Sequence, residues 1–262
     1  MMTVRQSLPL LALLTALGQA SPSRAAEPAK PAEPHSYEAC VALTDREPVK
    51  ALAYARDWKA AAGGNAALHC EALALSALGE LDEAAARFQE LADAMTDAPA
   101  ETRAEIYGQA GSAWAVAGNL AKARAAYDAA IELLPGVPEL YLGRAQVRAL
   151  EKDWDGVRKD AGEALAESPS LAAALTLRAT ALRNLGHPKA ALADVERAVS
   201  LAPHNLDALL ERGRMRAETG NLSGAKADWM TVVRFAKQTG RASDPAAAAA
   251  QALLDKSEKP AQ

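Results

Sequence analysis

Three prolines, Pro135, Pro169 and Pro203, recur at an interval of 34 residues, and Arg144, Arg178 and Arg212 keep the same interval, as do Asp160, Asp194 and Asp228. No other property of the chain restricts its fold so sharply. A fixed period of roughly twenty to fifty residues means that one supersecondary unit is stacked on copies of itself, each burying a face it could not bury alone. Arrays of this kind offer a long open surface, not a deep catalytic cleft.

The contents of one period say what the unit is. Between Ala104 and Val137, the residues Tyr107, Gly111 and Trp114 fall at helical spacing, Gly118-Asn119-Leu120 breaks the pattern, and Ala123, Tyr127 and Ala130 resume it before Pro135. The spacing predicts a helix, a tight turn and a second helix. The same register runs through Tyr141, Ala145, Val157, Ala161 and Ala164, through Leu175, Ala179, Gly186, Ala191 and Val195, and through Leu209, Gly213, Gly220, Ala225 and Trp229. Upstream it runs through Leu68, Ala72, Leu75, Gly79, Ala84 and Phe88, and an insertion of five residues around Thr96 to Ala100 then lengthens one connection. Half the residues are hydrophobic but only 4% are aromatic. An apolar fraction dominated by Ala and Leu favours helices that approach closely.

This pattern of large and small residues resembles the tetratricopeptide repeat. The resemblance covers about Tyr37 to Thr239. It implies an all-α, right-handed superhelical solenoid of antiparallel helix pairs. Five clear repeats occupy 65–98, 104–137, 138–171, 172–205 and 206–239. A degenerate helix pair at 35–64 precedes them, with Pro48 tolerated in the first turn of its second helix. A capping helix opened by Asp244-Pro245 follows within 240–262.

Residues 1–20 carry one charge, Arg5, and an apolar stretch from Leu8 to Leu17 followed by small residues. That is the layout of a secretory signal peptide, with cleavage after Ala20 or Ala25, and it predicts a periplasmic protein with no transmembrane segment in the mature chain. Residues 21–34, with four prolines, read as an extended tail. The formal net charge of −4 and pI near 5.7 argue against a nucleic-acid partner.

No motif for catalysis, phosphate binding or metal ligation emerges, so an enzyme and a cofactor are not expected. The four histidines, His35, His69, His187 and His204, have no ligand spacing. The acidic residues read as solvated helix faces. Trp58, Trp114, Trp154 and Trp229 read as packing residues. The Arg and Asp ladders read as structural ion pairs, because the two positions change together. They become Ala110 with Ala126 in one unit and Glu71 with Arg87, signs reversed, in another. Partly exposed, such pairs would contribute about 0–1 kcal/mol each.

Cys40 and Cys70 are the only cysteines. In the implied architecture they fall on first helices of successive units, and in an exported chain they read as a disulfide, with buried free thiols the alternative.

The resemblance further implies that the first helices line a concave groove that holds a protein or peptide partner. The groove-facing candidates are Gln109, Ser112, Leu142, Gln146, Thr176, Thr180, Arg183, Leu210 and Arg214. The family's carboxylate clamp is absent, since His69, Leu73, Gly108, Ser112, Leu142 and Gln146 stand at its positions. Leu, Thr and Gln with two Arg suggest a moderately apolar peptide carrying an acidic element. The expected role is a protein-interaction adaptor, and the alternative is a self-associating structural scaffold of the cell envelope.

Overall fold

The computed structural model describes residues 35–258. The expected signal peptide and proline-rich tail, residues 1–34, lie outside the described residues. Thirteen helices follow one another with no strand between them among the described residues: α1 (Tyr37–Thr44), α2 (Pro48–Ala60), α3 (Gly64–Leu78), α4 (Leu81–Ala94), α5 (Ala100–Val116), α6 (Leu120–Leu133), α7 (Pro138–Glu151), α8 (Trp154–Glu167), α9 (Ala172–Asn184), α10 (Pro188–Leu201), α11 (Leu206–Glu218), α12 (Leu222–Gln238) and α13 (Pro245–Glu258). Each helix packs on its sequence neighbours. In addition, first helices touch across units, α1 on α3, α5 on α7, α7 on α9, α9 on α11 and α11 on α13. This is an all-α solenoid of helix pairs.

Local sequence sets the boundaries. Pro48, Pro138, Pro188 and Pro245 open helices, where a missing N–H costs nothing. Asp153, Asn205 and Asn221 accept from the backbone N–H three residues on, at 3.0, 3.0 and 2.9 Å, and so cap α8, α11 and α12. The turn inside a pair needs one left-handed residue, supplied by Gly79, Gly118, Gly186 and Gly220. In the fourth pair Lys152 takes that conformation at φ 62°.

The inserted residues do not simply lengthen a loop. Met95 to Pro99 form the connection, and Ala100 already begins α5, which at 17 residues starts a turn earlier than the repeat requires. The extra turn carries Glu101 onto the first-helix face.

Within each pair, one contact sets the spacing of the two helices, and its two residues trade size. Gly111 faces Tyr127 and Gly213 faces Trp229; a Cβ on Gly111 would meet Tyr127 at 2.8 Å. The corresponding positions hold Ala72 with Phe88, Ala145 with Ala161 and Ala179 with Val195, all of them buried. Tyr127 also lies against Gly143 of the following pair, so one ring fills the joint between α5, α6 and α7. Gly143→Val would drive a branched side chain into that ring. We expect a loss of about 1–3 kcal/mol, read as a fall in the urea midpoint with unchanged slope.

The Arg and Asp ladders are ion pairs between the two helices of each unit. Arg144, Arg178 and Arg212 each grip the aspartate sixteen residues on through Nε and Nη2, at 2.7 to 3.1 Å. The expectation of partly exposed pairs needs correcting. The Asp160 side chain is 0% exposed and that of Asp228 only 5%. A second arginine one turn along reaches each of these two, Arg148 to Asp160 at 3.2 Å and Arg216 to Asp228 at 2.8 Å. The reversed pair also forms, Glu71 lying between Arg56, Lys59 and Arg87.

Trp114 and Trp229 are core residues, whereas Trp58 and Trp154 are half-buried and pack at the margins. Cys40 and Cys70 are joined in a disulfide between α1 and α3, packed beside Ala55, Tyr54 and Trp58. At the other end, Asp244 caps α13 through the Ala246 N–H at 2.9 Å. The buried Ala246, Ala247 and Ala250 cover the apolar face left by α11 and α12.

Candidate functional site

The first helices present a row of three hollows. One lies between α1, α3 and α5, with a volume of about 380 Å³ and walls from Tyr37, His69, Leu91, Met95, Glu105 and Gln109. The next lies between α5 and α7, about 470 Å³, over Gly108, Ser112, Tyr127, Val137 and Leu140, with Glu101, Glu105 and Glu139 at its rim. The third, about 300 Å³, lies between α7, α9 and α11 and holds Gln146, Thr176, Thr180, Asp207, Leu210, Glu211 and Arg214.

The predicted groove residues divide among these places. Gln146, Thr176, Thr180, Leu210 and Arg214 come together in the third hollow, and Gln109 and Ser112 in the second. Leu142 is half-buried and packs against the C-terminal core. Arg183 lines a separate recess with Met215 and Glu218.

Several of these side chains are already engaged. The Thr176 hydroxyl donates to the Ala172 carbonyl at 2.8 Å and that of Thr180 to the Thr176 carbonyl at 3.0 Å, so neither is aimed at a ligand. Thr176 and Leu210 are buried. The two arginines are not free cations. Glu211, 2% exposed, accepts from Arg183 through one oxygen and from Arg214 through the other, and Arg183 also reaches Glu218. Burial works to lower the Arg183 guanidinium, but the hydrogen bonds and charges of Glu211 and Glu218 outweigh it and hold the group above its ordinary pKa. The expected acidic ligand element rested on these two charges. Because the protein's own carboxylates occupy them, that expectation fails.

Sequence reasoning missed the residues at the other end. His69 joins three first helices, bonding the Tyr37 hydroxyl at 2.7 Å and the Gln109 side-chain oxygen at 2.8 Å. Burial, then the charge of Glu105, raises the Tyr37 phenol above its ordinary pKa. Glu105, Glu139 and Asp207 occupy the same place in their units, at the 34-residue interval or twice it. Desolvation of its carboxyl, then the nearby Asp244 charge, raises Asp207 above the usual carboxylate range, with Arg241 and Arg214 pulling the other way.

No helix among the described residues is long and apolar enough to cross a membrane. No group of three or more His, Cys, Asp or Glu there could hold a metal ion. The buried acids Glu71, Asp160, Glu211 and Asp228 each face arginine or lysine.

The tetratricopeptide-repeat family profile matches residues 172–205, the unit formed by α9 and α10. Solved structures agree over most of the chain. YrrB, described as a tetratricopeptide-repeat protein with an unusual peptide-binding site, is 16% identical with a TM-score of 0.54, covering 84% of this chain and 100% of its own. The Cut9–Hcn1 hetero-tetramer of the APC/C is 16% identical with a TM-score of 0.62, covering 85% of this chain and 45% of the other. MamA from Desulfovibrio magneticus RS-1 is 19% identical with a TM-score of 0.55, covering 64% and 92%. Residues 172–205 match a tetratricopeptide repeat, and the described chain shares the helical-solenoid fold of these structures. No curated protein matches the sequence.

Proposed function

We infer that this protein is a non-catalytic interaction module, an adaptor that holds a segment of a protein partner along its first helices. The observation that carries the reading is the series of three hollows among the first helices from α1 to α11, the first two of which share Glu105 and Gln109. Shallow apolar pockets in series seat alternate side chains of an extended segment or one face of a helix. A peptide-binding site in YrrB, a protein of the same fold, is consistent with this use. The buried carboxylates Glu71, Asp160, Glu211 and Asp228 are each paired with a cation and so serve the fold. Residues 1–20 support export to the periplasm as the place where the adaptor works.

Self-association through open ends draws less support, because α13 covers the last unit. A mass that stays monomeric by light scattering across a concentration series is the expected result.

The test is photo-crosslinking in the cell. A crosslinking residue in place of Ser112, exposed at the second hollow, should capture one dominant foreign protein. The same residue in place of Glu163, exposed on the second helix α8, should not. Equal capture from both positions, or adducts only to the chain itself, would overturn the adaptor reading.

A further inference from the structure

The geometry points to a basic, interrupted-apolar segment as the occupant of the first two hollows, one in which lysine or arginine recurs about every third residue with an apolar side chain between. This inference rests on the adaptor reading above and gives the partner its chemistry.

The charge on this stretch of the groove is of one sign. The side chains that line the two hollows include Glu101, Glu105 and Glu139 and no lysine or arginine. All three carboxylates are on exposed residues. The arginines of the neighbouring elements are committed elsewhere, Arg144 to Asp128 and Asp160, Arg124 to Glu151, and Arg148 to Asp160. Arg103, on the same helix as Glu105, donates to the Ala92 carbonyl. No ion pair among the described residues reaches the three acids.

Beneath this rim the floor is apolar. Tyr127, Leu134, Val137 and Leu140 line one hollow, and Leu91, Met95 and Ile106 the other. Glu105 belongs to both, so it stands between the two apolar seats. Glu105 and Glu139 lie in matching places on α5 and α7, which pack directly on each other. Packed helices have axes about 8–10 Å apart. A chain in the polyproline-II conformation, rising about 3.1 Å per residue with three residues per turn, covers that distance in about three residues and returns every third side chain to the same face. Cations at that interval would meet successive carboxylates, and the intervening apolar side chains would fall over the seats.

Unpaired carboxylates beside an apolar floor discriminate by sign. A cation gains from them, whereas an acidic segment is repelled on approach as well as in the bound state. Glu101 is placed at this rim only because the insertion extends α5 by a turn.

The test uses three fluorescein-labelled twelve-residue peptides that repeat Leu-Ser-Lys, Leu-Ser-Glu or Leu-Ser-Ser, titrated against the mature chain by anisotropy. The lysine peptide should bind at least about tenfold more tightly than either of the others, since each 1.4 kcal/mol is a factor of ten. Its affinity should fall with added salt. Glu105→Lys with Glu139→Lys should weaken the lysine peptide at least about tenfold and strengthen the glutamate peptide. Both residues are exposed, and an unchanged circular dichroism melt would confirm that the variant folds. Equal binding of all three peptides would overturn the charge assignment and leave the groove as an apolar binder. No binding by any of them, while the Ser112 crosslinker still captures a partner, would overturn this assignment and keep the adaptor. Lysine-peptide binding that appears only after the tail of the mature chain, up to residue 34, is removed would make the chain's own N-terminal segment the occupant, against a separate partner.

Discussion

Arg144→Ala should cost about 3–5 kcal/mol, far more than an ordinary surface ion pair. The magnitude follows from where the charge is left. Asp160 has a fully buried side chain and accepts from Arg144 at 3.0 and 2.8 Å. Removing the guanidinium strands a carboxylate between α7 and α8, where water cannot replace the donors. Arg148 at 3.2 Å still holds one oxygen, which places the loss toward the lower end of that range. The contact to the exposed Asp128 at 2.7 Å adds little, since surface pairs contribute about 0–1 kcal/mol. Arg144→Leu combined with Asp160→Leu should lie within about 1.5 kcal/mol of the parent, because the stranded charge is gone and the two helices pack through aliphatic side chains. Arg178→Ala should lose less than Arg144→Ala, because its partner Asp194 is 13% exposed. Chemical denaturation of the three variants decides the matter. A loss below about 0.5 kcal/mol for Arg144→Ala, as for an ordinary surface change, would contradict the buried-pair account.

The second large effect is expected from Cys40→Ser with Cys70→Ser, at about 3–4 kcal/mol in the chain-entropy treatment of a loop of this length. The loss should be local. α1 has 8 residues, too few to persist as an isolated helix, and it packs mainly on α2 and α3. Without the crosslink α1 should exchange its amides at close to the rate of an unfolded chain, while α5 to α12 keep their protection. The change also reaches the groove, since Tyr37 on α1 walls the first hollow and bonds His69. Hydrogen exchange with and without a reductant gives the result directly. Coincident protection of α1 in the two states would show that packing alone holds it.

Much of the fold was legible because packing dictates it position by position. The interval between Pro135, Pro169 and Pro203 and the small residues at Gly111, Ala145, Ala179 and Gly213 could only mean helix pairs in register. The joint changes of Arg and Asp announced an ion pair from one chain alone. Its depth was not legible, because whether an arginine sits at an edge or over a closed interface depends on the neighbouring helix. The groove was harder to read for the same reason. Offsets brought Gln146, Thr176, Thr180, Leu210 and Arg214 to one hollow. They could not show that Thr176 and Thr180 spend their hydroxyls on their own helix, nor that Glu211, 28 residues beyond Arg183, neutralises it. The signal for Glu105, Glu139 and Asp207 was present in the 34-residue interval. On alanine-rich helices it looked like an ordinary solvated face, and Glu101 depended on an insertion whose helical course the spacing did not reveal.

The account's central claim is that a partner lies over the hollows on the face of the first helices and not on the opposite face formed by the second helices. Hydrogen exchange of the mature chain, measured with and without a synthetic peptide of the segment captured at Ser112, tests it most directly. The account predicts added protection that is strongest in α3, α5 and α7 and absent from α8 and α10. Protection confined to the second helices, or spread evenly over both, would contradict it.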